Sequence, residues 1–200
     1  MHKDVYGWCK TCDVCQNFGR KELIRGPLQS VPTYGPFEHR GLDFVGPLPR
    51  SSFGNFFLLV AIDYATRWAE AKATIGNNAI TVTSFLMDHI YARFGCPLEI
   101  LTDGNTSFQN DLVNRLTRKL SINHNVSSPY YPQCNGLVER TNGLLCSSLG
   151  KLVHEKKRRW DKHVPEVLWA YRTTHKLAIG FTPFQLVYGM EAVLPIELEI

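Results

Sequence analysis

Hydrophobic residues change their spacing several times along the chain, and each change marks an element. The run "FFLLVAI" (56–62) is apolar without interruption, as a central strand covered on both faces requires. It lies within "NFFLLVAIDYAT" (55–66). "RWAEAKAT" (67–74) follows so closely that the two are expected to pair as a hairpin. Upstream, "HRGLDFVG" (39–46) reads as a first strand ending at "GPLP". Downstream, Ile80, Val82, Phe85, Leu86, Ile90 and Phe94 recur near a helical period, which predicts a helix over 77–95 ending at Gly95. "PLEILTDG" (97–104) reads as a short strand and "NDLVNRLTRKLSI" (110–122) as a helix. "NHNVSSPYYP" (123–132) reads as a last strand and a loop. A second long helical pattern runs from Asn135 to Glu155, with Leu144, Leu149 and Leu152 expected in the core. "RRWDKHVPEVLWAYRTTH" (158–175) predicts one more helix, broken at Pro165. The tail reads as loops and short extended pieces.

This order predicts an α/β class, with a mixed five-stranded sheet flanked by helices. Residues 1–25 are polar and carry cysteines, and "GPLQSVPTYGP" (26–36) has the proline and glycine content of a linker. The expected organisation is therefore a short N-terminal segment (1–25), a linker (26–36), a core (37–155) and a helical extension (156–200).

Composition narrows the function classes. Hydrophobic residues make up 44% and charged residues 20% of the 200 positions, which describes a globular chain. The longest apolar run is too short to cross a bilayer, so no membrane partner is expected. "MHKDVYGWCK" has no apolar signal core, and the expected location is intracellular. In that setting six cysteines point to thiols or metal ligands rather than a disulfide framework. A net charge of +4 permits a nucleic-acid partner without requiring one.

The candidate chemistry lies in three acidic positions. Asp43 falls on the first strand, Asp103 at the end of the fourth, and Glu139 near the start of the long helix. A lone Glu on a helix is ordinarily a solvated residue. Three carboxylates brought together would instead repel one another unless divalent cations lay between them. Oxygen donors of this kind suit Mg²⁺ or Mn²⁺, and a pair of such ions serves in-line phosphoryl displacement.

The surrounding sequences are more specific than the spacing. Asp43 sits in "LDFVGPLP", Asp103 in "LTDGNTSF" and Glu139 in "YYPQCNGLVERTN", with 35 residues (104–138) between the last two. Together with "DVYGWCKTCDVCQ" (4–16), "IDYATRWAEAKA" (62–73) and "WAYRTTHKLAIGFTPFQLVYGMEAVLP" (169–195), the chain resembles the integrases of gypsy-type LTR retrotransposons, relatives of retroviral integrases. The resemblance covers nearly the whole chain. It implies a ribonuclease H-like fold, two-metal catalysis by Asp43, Asp103 and Glu139, and DNA 3′-end processing followed by strand transfer. It further implies DNA as partner, a homo-oligomer, and a nuclear location when the enzyme acts on chromosomal DNA.

Other residues are candidates on the same reading. Asn135 and Asn142 share the helix face of Glu139 and are placed to hydrogen-bond DNA or the carboxylate, although ordinary helix-start polarity explains them as simply. Tyr130 or Tyr131 is a candidate for stacking on a DNA end, or for packing only. Lys156, Lys157, Arg158 and Arg159 are either a solvated run or phosphate contacts. Cys12 and Cys15 match a pair that the family uses with two upstream histidines to bind Zn²⁺. Here the chain starts after those histidines. His2 and Cys9 complete a substitute set of four, or else the cysteines line one helix. The C-terminal DNA-binding module of such integrases is also missing, so a fragment or truncated copy is expected.

Two positions depart from the family. Asp103-Gly104-Asn105 stands where the family has Asp, any residue, Gly. Asn tolerates left-handed φ, so the turn is expected to persist. Arg40 stands where an aromatic residue is common. Two other functions stay open: a nuclease using water in place of the 3′-OH, and a protein that keeps the fold and binds nucleic acid without chemistry.

Overall fold

The computed structural model describes residues 2–12, 34–127, 136–153 and 157–193. They fall in two units, Met1–Pro32 and Thr33–Ile200. The first contributes α1 (His2–Thr11). Cys15 and residues 26–33 of the expected linker lie outside the described residues.

The second unit is built on five strands: β1 (His39–Val45), β2 (Phe57–Asp63), β3 (Ala69–Thr74), β4 (Glu99–Thr102) and β5 (Asn123–Val126). Their order in the sheet is β3-β2-β1-β4-β5. The first three form an antiparallel meander, and β4 and β5 join β1 in parallel. The parallel pairs need crossovers, which helices supply. The crossover into β4 runs through α2 (Ala79–Phe85), a π-helical stretch (Leu86–Tyr91) and the short α3 (Ala92–Phe94). It starts where the Asn78 side chain accepts from the Thr81 N–H, and it stops at Gly95, whose φ of 84° few other residues adopt. The crossover into β5 is α4 (Asp111–Lys119), capped in the same way by Asn110. There follow α5 (Gly136–Leu152), a 3₁₀ segment (Lys157–His163), α6 (Val164–Thr173) and α7 (Pro183–Tyr188). The chain thus has the mixed five-stranded sheet flanked by helices that its pattern predicts.

Three expectations need correction. Pro165 does not break a helix. It sits in the first turn of α6, where its missing N–H costs nothing, and the residues before it form the 3₁₀ segment. The tail contains α7, closed by a reciprocal capping box between Thr182 and Gln185. Leu144 and Leu152 are 51% and 54% exposed. The buried stripe of α5 is Val138, Thr141, Asn142, Leu145 and Leu149, so of the three expected leucines only Leu149 is in the core.

Strand alternation separates two cores. Leu42 packs with Leu59, Ala61, Phe85 and Ile100 on the α2–α4 face. Leu58, Val60 and Ile62 pack with Val138, Leu145 and Leu149 on the α5–α6 face. Gly41 and Asp43 alternate with Leu42 and so face α5. A Cβ built on Gly41 would lie 2.3 Å from Val138 Cγ2 and 3.0 Å from Tyr64 Cε2. Residue 41 therefore has to be glycine for α5 to lie this close to β1.

A buried carboxylate ties β3 to the helices. Glu70 is 2% exposed and receives Arg93 Nη1 at 2.7 Å, Arg172 Nη2 at 2.8 Å and the Trp68 indole N–H at 2.8 Å. Arg172 also donates to the Ala69 carbonyl and stacks on Trp68. Arg40 is wholly buried between the Phe37 and Phe94 rings, at 4.9 and 4.7 Å from their centroids. Its guanidinium nitrogens have no hydrogen-bond partner among the described residues, and burial pulls its pKa down to about 10. Arg40 thus brings a cation, where an aromatic residue is common, into a setting of aromatic rings.

Gly41→Ala should cost about 1–3 kcal/mol of stability through overpacking, read as a lower midpoint in urea unfolding. In a double-mutant cycle with Val138→Ala the two losses should be less than additive. Strict additivity would mean that the two residues do not meet.

Candidate active site

Three elements deliver the three carboxylates to one end of the sheet. Asp43 lies on β1 two residues before its end and faces α5. Asp103 follows β4 directly, and because β1 and β4 run parallel, both point their C-terminal ends the same way. Glu139 is in the first turn of α5, exposed, where the helix dipole favours a negative charge.

The groups act on one another electrically. The carboxyl of Asp43 is pushed up to about 6, first by burial and then by the negative charge of Asp103. Glu139 adds to the rise, while the Phe44 backbone N–H and the Asn142 amide act against it. Asn142 Nδ2 donates to Asp43 Oδ2 at 2.8 Å, fastening β1 to α5 from the helix turn after Glu139. The Asn142 carbonyl oxygen is buried without a partner among the described residues. The carboxylate that Asn142 contacts is that of Asp43 on β1, not that of Glu139 on its own helix.

The Asp103 turn holds its shape without left-handed backbone. Neither Gly104 nor Asn105 has positive φ, and a Cβ on Gly104 would meet nothing within 4 Å. Side-chain turns do the work instead. The Asn105 N–H donates to Asp103 Oδ1 at 3.1 Å, and the Ser107 N–H donates to Asn105 Oδ1 at 3.0 Å. The Ser107 hydroxyl then bonds the Asn77 carbonyl and anchors the loop ahead of α2. The turn persists as expected, and the Asn105 side chain, rather than a left-handed φ, makes it.

Among the described residues, no three His, Cys, Asp or Glu side chains gather closely enough to enclose one ion. Mg²⁺ usually takes one or two carboxylates and fills its octahedron with water and substrate phosphate oxygens. The donor set, hard oxygens with mutual repulsion to relieve, fits such ions. The groove of about 400 Å³ between α2 and α4 contains none of the three carboxylates.

The remaining candidates are scattered. Tyr130, Tyr131, Asn135 and Lys156 lie outside the described residues, as does Cys15. Cys12 follows α1, half-buried. Lys157 opens the 3₁₀ segment, and Arg158 and Arg159 behind it are exposed. No described helix is long and apolar enough to cross a membrane. Gly41 escaped the sequence reading, although a lone glycine inside a strand pattern is a signal of close backbone approach.

A ribonuclease H-like sheet with acidic groups at the ends of its first and fourth strands and on the following helix defines the class. Comparison with known proteins agrees. The chain is 29% identical over 196 residues to the Pro-Pol polyprotein of feline foamy virus, covering 98% of this chain and 17% of the polyprotein. It is 29% identical over 202 residues to the transposon Tf2-3 polyprotein of Schizosaccharomyces pombe, covering 99% and 15%. The chain thus spans about a sixth of the length of these relatives. No family model matches it. In fold it is similar to the HTLV-2 integrase catalytic core domain in complex with magnesium in its trimeric form, with a TM-score of 0.63 at 20% identity over 76% of this chain and 96% of that one. It is also similar to a chain of the simian T-cell lymphotropic virus intasome in complex with PP2A regulatory subunit B56 gamma, with a TM-score of 0.69 at 22% identity over 98% and 69%. The resemblance read from the sequence is borne out: the chain is a homologue of retroelement polyproteins and has the fold of a retroviral integrase catalytic core.

Two measurements check this geometry. Because the folded-state pKa of Asp43 lies above its unfolded value near 3.8, the folded, metal-free protein holds that proton more tightly. The group therefore lowers stability as pH rises from about 4 through 6. In chelator, the stabilisation by Asp43→Asn should be small at pH 4 and grow to a plateau above pH 6. A constant difference across that window would disprove the shift. Exchanging residues 104 and 105 should cost about 0.5–1.5 kcal/mol, because Ser107 loses its acceptor. A stabilised exchange variant would refute the side-chain turn.

Proposed function

We propose that this chain is the catalytic core of a retroelement integrase that processes DNA 3′ ends and joins them to target DNA by direct phosphoryl transfer. The observation that carries the reading is the placement of Asp43 on β1 and Asp103 directly after the parallel neighbour β4, with Glu139 one helical turn from the Asn142 amide that bonds Asp43. Mg²⁺ or Mn²⁺ held by these three residues would activate the attacking oxygen and stabilise the leaving one.

The chain's own groups do the rest. Asp43 is held in the sheet ladder opposite Val60, and Asp103 sits in the turn directly after β4, where its carboxylate accepts the Asn105 N–H. Asn142 keeps Asp43 turned toward α5. Glu139 is exposed on the first helical turn and free to adjust as a phosphodiester arrives. In the joining step the 3′-oxygen forms a bond to the target phosphorus, the opposite P–O3′ bond breaks, and the hydroxyl proton passes to solvent. No covalent protein–DNA intermediate is formed. Exposed Arg158 and Arg159 supply sequence-independent phosphate contacts. The enzyme works as a homo-oligomer on DNA.

The test uses a labelled branched DNA that mimics the joined product, in Mg²⁺ and then in Mn²⁺. The parent should resolve the branch, and Glu139→Gln should abolish resolution at least 100-fold while leaving the circular dichroism spectrum unchanged. Resolution by Glu139→Gln at the parental rate would overturn the triad. Cut strands without joined strands would indicate a nuclease, and bound but unchanged DNA a binding protein.

A further inference from the structure

Beyond the carboxylates, the hairpin joining β1 to β2 carries a feature that catalysis does not explain. The ladder continues past β1: the Leu48 N–H donates to the Phe56 carbonyl and the Ser51 N–H to the Asn55 carbonyl, so the hairpin extends to a tip at Ser52–Gly54. At that tip Phe53 is 63% exposed. A phenylalanine at the end of a hairpin gains nothing from packing there.

The tip is rigid. Asp161 Oδ2 accepts from the Ser51 hydroxyl at 2.6 Å and from Asn55 Nδ2 at 2.8 Å. The Ser52 N–H and hydroxyl both donate to the Arg158 carbonyl, and the Trp160 indole N–H donates to the Pro49 carbonyl. The 3₁₀ segment thus clamps the hairpin at four points. Lys162 Nζ sits 5.0 Å from the Phe53 centroid, Arg158 and Arg159 are exposed on the same 3₁₀ segment, and Arg50 lies over the neighbouring Phe56 ring. Asp161, the acid between them, is occupied by its two hydrogen bonds.

We infer that Phe53 and the cations of the 3₁₀ segment form a second nucleic-acid contact, in which an unpaired base stacks on the ring and Lys162, Arg158 and Arg159 hold the adjoining phosphates. An exposed aromatic face beside positive charges is the combination that binds single strands, since every base offers a π-face and every nucleotide a charge. The hairpin leaves the sheet from the C-terminal end of β1, the end that carries Asp43. The inference rests on the DNA-joining reading for its substrate but not for its measurement.

The experiment is fluorescence anisotropy in chelator, with a blunt duplex and with the same duplex carrying a single-stranded overhang. Phe53→Ala should weaken binding of the overhang substrate roughly tenfold and leave the blunt duplex within about twofold. Phe53→Trp should restore it. Lys162→Gln should reduce the salt slope by about one. Asp161→Ala should also weaken overhang binding, although it removes a negative charge, because the tip loses its clamp. The inference fails if Phe53→Ala binds the overhang as the parent does, if it loses both substrates equally, or if Asp161→Ala binds more tightly. The branched-DNA assay on the parent separates the two readings. Joining alongside an unaffected Phe53→Ala sinks only this contact, and a binding defect without joining sinks only the proposed chemistry.

Discussion

Val138 of α5 rests where a side chain on residue 41 would stand, and the candidate site depends on that contact. Because Gly41 leaves β1 bare at this point, the helix lies directly on the sheet. Glu139, the next residue along, is thereby brought within electrical reach of Asp43, and Asn142, one turn further, within hydrogen-bond reach. A methyl group at position 41 would push against the residue that positions both. Fold and site are therefore one problem of packing here, decided within ångströms.

The two faces of the sheet secure that geometry by different means. On the α5–α6 face the work is apolar, through Leu58, Val60, Ile62, Leu145 and Leu149. At the β3 edge it is ionic. Glu70, nearly excluded from water, is shared by Arg93 and Arg172, and breaking such a buried pair leaves an uncompensated charge worth about 3–5 kcal/mol. Arg40 is the opposite case, a buried guanidinium whose neighbours are aromatic rings rather than hydrogen-bond acceptors. Its cation is held by the ring faces and by the more distant charges of Asp63 and Glu70.

The site itself is built to be unsatisfied. Asp43 is half-buried beside two other carboxylates, an arrangement that raises its pKa and destabilises the metal-free protein above pH 6. Strain of this kind is relieved by a hard cation, whose shell a phosphodiester can complete. The positive surface lies elsewhere, on the 3₁₀ segment and the hairpin it clamps. The repelling acids and the cations thus stand on different elements.

The meander, the two crossovers and the long helix were all legible in the linear pattern. Uninterrupted apolar residues at 56–62, helical spacing at 80–94 and the breaks between them are local properties, written residue by residue. The three acidic positions were legible too, through their local contexts and the 35 residues between Asp103 and Glu139. What the pattern misjudged were matters of facing and of capping: Leu144 and Leu152 turned to solvent, Pro165 starting a helix, and α7 closing on Thr182 and Gln185. Gly41 has no side chain to count in any hydrophobic pattern, and its meaning comes from Val138, nearly a hundred positions away. Likewise Asp161 and Phe53 are unremarkable in sequence and acquire a role only when two distant segments meet. Periodicity records which residues avoid water. Which residues touch is decided by the close packing of elements that lie far apart along the chain.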